Sequence, residues 1–229
     1  MVKRICFSGI AAFLLFVSAG FAQYTMDLTG VGDGANADGA YVGPYQGTIS
    51  QGTNQIYSGN IICDDFSTES FLDSPWSATA TNAGSLNGSE KFNSAAYYNA
   101  TVGHTTTQQD YNAVAWLANS LLASGNVTNP TAQINLSFAI WDIFGGATTD
   151  PDGGAMADIT AAFNAVKGGY VGTNVEVFSP VPSNASQEFL VVNGPAISAP
   201  EPAAFAILGA DLLSVLAIVF VLRRRRVQA

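Results

Sequence analysis

The chain of 229 residues is acidic and carries few charges. Its 17 acidic residues outnumber its 8 lysines and arginines, which gives a net charge of −9, and charged residues make up 11% of the total. Because an acidic surface repels nucleic acid and anionic polymers, the composition predicts no nucleic-acid partner. A single histidine excludes a histidine-cluster metal site, and we predict neither a metal nor a cofactor.

The N-terminus has the three parts of a secretory signal peptide. The basic pair Lys3-Arg4 precedes a mostly apolar core over residues 5–17 that is too short to span a membrane. Gly20 and Ala22 then place small residues at positions −3 and −1 relative to Gln23. We therefore predict a signal peptide over residues 1–22, cleaved between Ala22 and Gln23.

Residues 23–194 form the predicted extracytoplasmic domain. Lys91 and Lys167 are its only cationic residues and stand against fifteen acids, a net charge of −13. Cys63 is its only cysteine, because Cys6 belongs to the signal peptide, so no disulfide can form within the domain.

The first part of this domain is predicted to consist of β-hairpins. Short runs of β-prone residues alternate there with Gly-rich turns. The runs are residues 24–28, 40–42, 48–49, 55–57 and 60–66. Residues 77–89 are interpreted as a loop.

Helical signals begin after this loop. Thr106 and Gln109 have the spacing of a capping box, which predicts the start of a first helix. Asn129 as N-cap with Pro130 at the first helical position predicts a second helix, ending at Phe144. Apolar residues cover almost its whole circumference, so we expect this helix to be buried.

A third helix is predicted over residues 154–166, followed by strands over residues 174–178 and 188–192. Strands, helices and strands occur here without regular alternation. We therefore predict an α+β domain with N-terminal hairpins, three central helices and C-terminal strands.

The C-terminus has the pattern of a membrane anchor. Residues 195–202 are a Pro-rich linker, residues 203–222 are apolar, and residues 223–229 form a basic tail. Twenty apolar residues at 1.5 Å each just cross a hydrocarbon core of about 30 Å. We therefore predict one transmembrane helix with a cytoplasmic tail.

This end of the chain resembles a PEP-CTERM sorting signal of exported bacterial proteins. The resemblance rests on a Pro-Glu-Pro motif, the apolar span and an arginine cluster. These residues are Pro200, Glu201, Pro202, Arg223, Arg224, Arg225 and Arg226. The resemblance implies that an exosortase, a membrane cysteine transpeptidase, reads the signal and cuts near the motif.

Five short motifs in the domain resemble a recurring group of PEP-CTERM ectodomains. They are Tyr41-Val42-Gly43-Pro44-Tyr45, Cys63-Asp64-Asp65-Phe66, Trp76, Ala115-Trp116-Leu117 and Ala139-Ile140-Trp141. The Cys strand and the downstream Ala-Ile-Trp are also similar to thioester domains of Gram-positive surface adhesins. In those domains a glutamine of a Thr-Gln-x-Ala-Ile-Trp motif acylates the cysteine, and the resulting bond captures an amine.

The glutamine of that motif is missing from this chain. Alignment on Ala139-Ile140-Trp141 places Ser137 at its position, and a serine has no carboxamide to lose ammonia. Gln133 lies one helical turn earlier, about 6 Å along the axis, so it is too far away without a shift of register. We interpret the domain as a thioester-type scaffold without the bond, in which Cys63 is a packed core residue.

Two other groups of residues have the chemistry of a site. Asp64-Asp65 with Glu69 and Asp73 would bind a cation if they converge, but adjacent aspartates in a strand point to opposite faces. His104, in a Thr-rich segment, is the only histidine on which a Ser/His/Asp hydrolase site could be built. We predict no catalytic and no metal-binding residues.

Three functions remain from different classes. The first, which we favour, is a non-catalytic surface or matrix protein that is exported, held in the membrane and sorted by an exosortase, with extracellular polysaccharide as a possible partner. The second is a surface adhesin with a reactive or degenerate thioester domain. The third is a secreted hydrolase.

Overall fold

A computed structural model describes residues 23–32, 35–94, 98–99, 102–145 and 153–195. Its strands are β1 (Tyr24–Gly30), β2 (Asn36–Ala37), β3 (Ala40–Tyr41), β4 (Tyr45–Gln51), β5 (Asn54–Cys63), β6 (Trp76–Asn82), β7 (Tyr98–Asn99), β8 (Gly103–His104), β9 (Val175–Pro180) and β10 (Phe189–Val192). Its helices are α1 (Thr107–Leu121), α2 (Pro130–Ile143) and α3 (Ala155–Lys167).

Six strands close into a barrel in the order β1-β4-β5-β10-β9-β6, and every neighbouring pair is antiparallel. Side chains alternate between the two faces of each strand, as in β1, where Tyr24, Met26 and Leu28 are buried. These side chains join Ile49 and Phe178 in the core of the barrel. Closure leaves the barrel without an unpaired edge.

The three helices lie between β6 and β9 in the sequence and build a second core. They pack against one another, and α1 also contacts β10 of the barrel. The second core contains most of the buried face of each helix together with Ile62 and Val177 from the barrel strands. Side chains from β5, β9 and β10 therefore contribute to both cores.

The predicted helix starts are confirmed in atomic detail. Thr106 caps α1 and forms the reciprocal capping box with Gln109. The Asn129 side chain accepts hydrogen bonds from two N–H groups of the first turn of α2, and Pro130 occupies the first position. Since α2 carries both Ser137 and Trp141, the Asn129 cap fixes where this helix begins and so where it places them.

The α+β class, the three central helices and the C-terminal strands are confirmed, but two details of the sheet prediction are wrong. Residues 76–82, placed mostly in a loop, form β6, because their small Ala and Thr side chains fit between β1 and β9. The two runs at 55–57 and 60–66 form one strand, β5, which ends at Cys63.

The signal peptide, the end of the linker, the apolar span and the basic tail lie outside the described residues. In the part of the chain that the structure describes, no helix has the length and apolarity needed to cross a membrane.

Candidate functional site

Cys63 lies at the last position of β5, with its side chain in the barrel core. Its Sγ donates to the carbonyl oxygen of Asp65 at 3.2 Å, and the N–H of Asp65 points back at the sulfur at 3.4 Å. Burial raises the pKa of the Cys63 thiol well above its usual value, and the neighbouring Asp64 raises it further. The sulfur is therefore held as a neutral thiol, which is the unreactive form of cysteine.

Trp141 on α2 connects the helix to the end of β5. Its Nε1–H donates to the carbonyl oxygen of Cys63 at 3.0 Å. Its ring packs against Phe66 and Phe138, at centroid distances of 5.0 and 5.2 Å. The cysteine strand and the Ala-Ile-Trp helix, which the sequence separates by more than seventy residues, thus meet in one place.

Ser137 lies on the same helix and is buried, and its hydroxyl accepts a hydrogen bond from the backbone N–H of Gly43 at 2.9 Å. Gly43 has a φ of +92°, a conformation that favours glycine. A Cβ added to Gly43 would come within 3.0 Å of the carboxamide carbon of Gln133. Ser137 and Gln133 therefore both pack against the segment that follows β3.

Gln133 is buried, and its Nε2 donates to the carbonyl oxygen of Val127 at 2.6 Å. This bond ties the side chain to the loop between α1 and α2. The side chain that we considered as a substitute acyl donor therefore supports the start of α2.

A buried carboxyl pair lies next to Cys63. Asp64 and Glu188 are both fully buried, and the Glu188 carboxylate accepts hydrogen bonds from Tyr111 (2.5 Å), from Ser179 and from the backbone N–H of Lys91 (2.7 Å). The Asp64 carboxyl faces Glu188, and the two carboxyls interact through a hydrogen bond.

Burial is the largest cause of the raised pKa of both carboxyls. The Glu188 charge raises the pKa of Asp64 further, whereas the hydrogen bonds from Ser179 and Tyr111 partly offset the rise at Glu188. Two carboxylates in a dry site repel each other, so the pair keeps a proton to a higher pH than exposed carboxyls do.

Asp65 is fully buried and bonded to Lys91. Its Oδ1 accepts hydrogen bonds from the N–H and the hydroxyl of Ser67, at 2.9 and 2.7 Å. Its Oδ2 pairs with Nζ of Lys91, which also contacts Oγ1 of Thr68 at 2.5 Å and the carbonyl of Ser186 at 3.3 Å. The pair joins the segment after β5 to the segment between β6 and α1.

An aromatic groove of about 430 Å³ opens beside Trp141. Three of its aromatic residues are exposed: Tyr41 (49%), Phe66 (38%) and Phe71 (66%). Its polar lining is supplied by Thr68, Glu69, Ser70 and Gln187. The combination of flat apolar rings and hydrogen-bonding groups is suited to a ligand with both apolar faces and hydroxyl groups.

The four carboxylates Asp64, Asp65, Glu69 and Asp73 do not converge on one cation site. Asp64 and Asp65 follow the end of β5 instead of lying within a strand, and both are buried, whereas Glu69 and Asp73 are exposed. Within the described ranges, no three His, Cys, Asp or Glu side chains are placed to hold a metal ion. The His104 side chain, Ala22 and the residues of the sorting motif lie outside the described residues.

Sequence reasoning missed Lys91, Tyr111 and Glu188 as members of this site. Two signals were present: Lys91 is one of two cations in the domain, and Glu188 directly precedes the apolar strand β10. Neither signal identifies a partner, because Glu188 is far from both Asp64 and Lys91 in the sequence.

No family model matches the chain, and no curated protein matches it. Among solved structures, it is similar to the N-terminal thioester domain of a Clostridium perfringens surface protein, with 14% identity, a TM-score of 0.44, and coverage of 76% of this chain and 99% of that one.

Two Streptococcus pyogenes structures are also similar. The N-terminal thioester domain of the fibronectin-binding protein SfbI has 13% identity, a TM-score of 0.41, and coverage of 77% of this chain and 95% of that one. The N-terminal domain of the pilus tip adhesin Cpa has 14% identity, a TM-score of 0.38, and coverage of 78% of this chain and 96% of that one. The first two are domains of the class that the Cys63 and Ala-Ile-Trp motifs resemble. At TM-scores below 0.5, the likeness carries no argument about the chemistry of this chain.

Proposed function

We propose that the chain is an exported bacterial surface or matrix protein, sorted through its C-terminal signal by an exosortase, with a non-catalytic ectodomain. The proposal that the ectodomain is non-catalytic rests on the environment of Cys63 and on the residue at the acyl-donor position. Cys63 is a buried neutral thiol, and the position of the acyl donor holds Ser137, whose hydroxyl is bonded to Gly43. The site therefore has the cysteine of a thioester-forming pair but lacks the acyl donor.

The hydrolase alternative is less well supported by the same geometry. A hydrolase needs an acid and a base that reach a substrate. The Asp64 and Glu188 pair is fully buried, and Glu69 is the only carboxylate among the residues that line the aromatic groove. We therefore keep the proposal of a non-catalytic ectodomain.

The first prediction tests the sorting. We expect a cut near residues 200–202, so that mature protein from wild-type cells lacks the arginine tail and cells without exosortase retain it. Asp211 near the centre of the span costs about 2.5 to 3.5 kcal/mol at insertion, which favours a transient anchor. Intact mass of the protein from both strains measures this, and an arginine tail retained equally in both would contradict the proposal.

The second prediction concerns Cys63. In the purified protein we expect one thiol that reacts with a thiol reagent only after unfolding, and no incorporation of methylamine, because Ser137 offers no acyl group. A loss of one ammonia from the intact mass that Cys63→Ala abolishes would contradict this. It would also favour the adhesin alternative.

Ser137→Gln is the matching gain-of-function variant. It places a carboxamide on the face of α2 that carries Trp141, whose indole binds the backbone of Cys63. If the scaffold is of the thioester type, this variant should lose one ammonia and capture methylamine. Ser137→Asn, with a shorter side chain, is the control and should do neither.

The aromatic groove is the surface on which we propose that an extracellular polysaccharide binds. Sugar rings stack on exposed aromatic side chains, and their hydroxyls hydrogen-bond to side chains such as Ser70 and Gln187. Since the domain has a net charge of −13, an uncharged polymer is favoured over an anionic one.

The third prediction tests this surface. Phe71→Ala should weaken binding to an uncharged insoluble glucan by about 1 kcal/mol, since one stacking contact is lost, and should leave stability unchanged because Phe71 is 66% exposed. Val171→Ala, which removes an exposed apolar side chain outside the groove lining, is the control. Pull-down isotherms measure both, and equal binding of the two variants would remove the groove from the proposal.

A further inference from the structure

Lys91 is one of the two cationic residues of the domain, and it forms an ion pair with Asp65. The Lys91 side chain is 11% exposed and Asp65 is fully buried, so the pair is largely removed from water. Ser67 holds one carboxylate oxygen through two hydrogen bonds, which turns the other toward Nζ of Lys91. An amine and a carboxyl carbon are thereby held in reactive proximity by the fold.

Two buried carboxyl groups, those of Asp64 and Glu188, lie near the Lys91 and Asp65 pair. Glu188 accepts a hydrogen bond from the backbone N–H of Lys91, and it faces the buried carboxyl of Asp64. The charge of Asp65 also raises the pKa of Asp64, so the carboxyl pair lies close to the Asp65 carboxylate. This arrangement plays no part in the proposed binding function.

We propose that Lys91 and Asp65 condense into an intramolecular isopeptide bond. The Lys91 ammonium gives one proton to the Asp65 carboxylate, and the neutral Nζ attacks Cγ. A second proton moves from the nitrogen to the oxygen that already carries the first, the bond from Cγ to that oxygen breaks, and one water leaves as the other oxygen becomes the amide carbonyl. No oxidant, reductant or cofactor takes part, and the carboxyl pair of Asp64 and Glu188 relays the protons.

The position of the bond suits an exported domain that has one cysteine and therefore no internal disulfide. An amide between residues 65 and 91 would permanently join the segment after β5 to the segment before α1. The loop between these residues includes β6, the strand that closes the barrel between β1 and β9. An amide is also resistant to the redox changes that break disulfides.

The experiment uses wild-type protein from exporting cells, unfolded and digested with trypsin. Trypsin cuts after free lysine but not after acylated lysine, and Lys91 and Lys167 are the only cationic residues between the two targeting segments. We expect cleavage after Lys167 and none after Lys91, in a fragment lighter than its sequence by one water. Cleavage after both lysines, with the full sequence mass, would overturn the proposal.

Three variants test separately the role of Asp65 as the acyl group and the role of Glu188 in proton transfer. Asp65→Ala should restore cleavage after Lys91. Asp65→Asn should keep the resistance, because an asparagine condenses with loss of ammonia and gives the same amide. Glu188→Gln should leave a measurable fraction of uncrosslinked protein, and a fully crosslinked Glu188→Gln would overturn the relay. A mass deficit that Cys63→Ala removes, with Lys91 still cleavable, would overturn the isopeptide bond and the missing thioester together.

Discussion

Trp141→Ala is expected to lower the free energy of unfolding by about 3–5 kcal/mol, the usual cost of truncating a buried tryptophan. The residue is 2% exposed, and its ring packs against Phe66 and Phe138. The variant also leaves the carbonyl oxygen of Cys63 without its indole donor, which adds about 1–3 kcal/mol if no water replaces it. Urea denaturation followed by circular dichroism measures the change.

Two controls separate the causes. Trp141→Phe keeps most of the ring contacts but loses the Nε1–H donor, so it should lose about 1–3 kcal/mol. Trp116→Ala removes a partly buried tryptophan from α1 and should cost less than Trp141→Ala. If Trp141→Ala is as stable as the wild type, Trp141 does not hold α2 on the end of β5.

Asp64→Asn is expected to flatten the pH dependence of stability. An unfolded aspartate loses its proton near pH 4, whereas burial and the facing Glu188 raise the pKa of folded Asp64 well above that. The folded state therefore binds more protons over this interval, and the free energy of unfolding falls as the pH rises toward the folded pKa. Each unit of pKa difference costs about 1.4 kcal/mol, and asparagine carries no such cost.

Unfolding curves of wild type and variant at pH values from 4 to 9 measure this effect. Relative to wild type, Asp64→Asn should gain stability as the pH rises, with a residual slope from Glu188, whose pKa is also raised by burial. Glu69→Gln removes one exposed carboxylate and controls for the change in net charge. Parallel curves for wild type and Asp64→Asn would show that Asp64 is ionised in the folded protein.

Local features of the fold could be predicted because they depend on neighbouring residues. The starts of α1 and α2 are set by Thr106 with Gln109 and by Asn129 with Pro130, within one turn of helix. Strand β6 was missed because its residues become a strand only through pairing with β1 and β9. No pattern within residues 76–82 contains that information.

Some contacts of the candidate site could also be expected from the sequence, and others could not. The meeting of Cys63 with Trp141 was implied by the family resemblance, which associates the two motifs. The partnership of Lys91 with Asp65, and of Asp64 with Glu188, joins segments that periodicity cannot relate. These contacts join residues that are 26 or more positions apart, and the sequence pattern does not specify the tertiary arrangement that brings them together.

The order of strands in the barrel has a consequence for the export that we propose. Strand β10 lies between β5 and β9, and Phe189 is the partner of Cys63 across the sheet. A chain that crosses the membrane from its N-terminus therefore delivers the strand that covers Cys63 last, after all three helices. The barrel cannot close without residues 189–192, so under the proposed export the thiol would be shielded only when translocation is nearly complete.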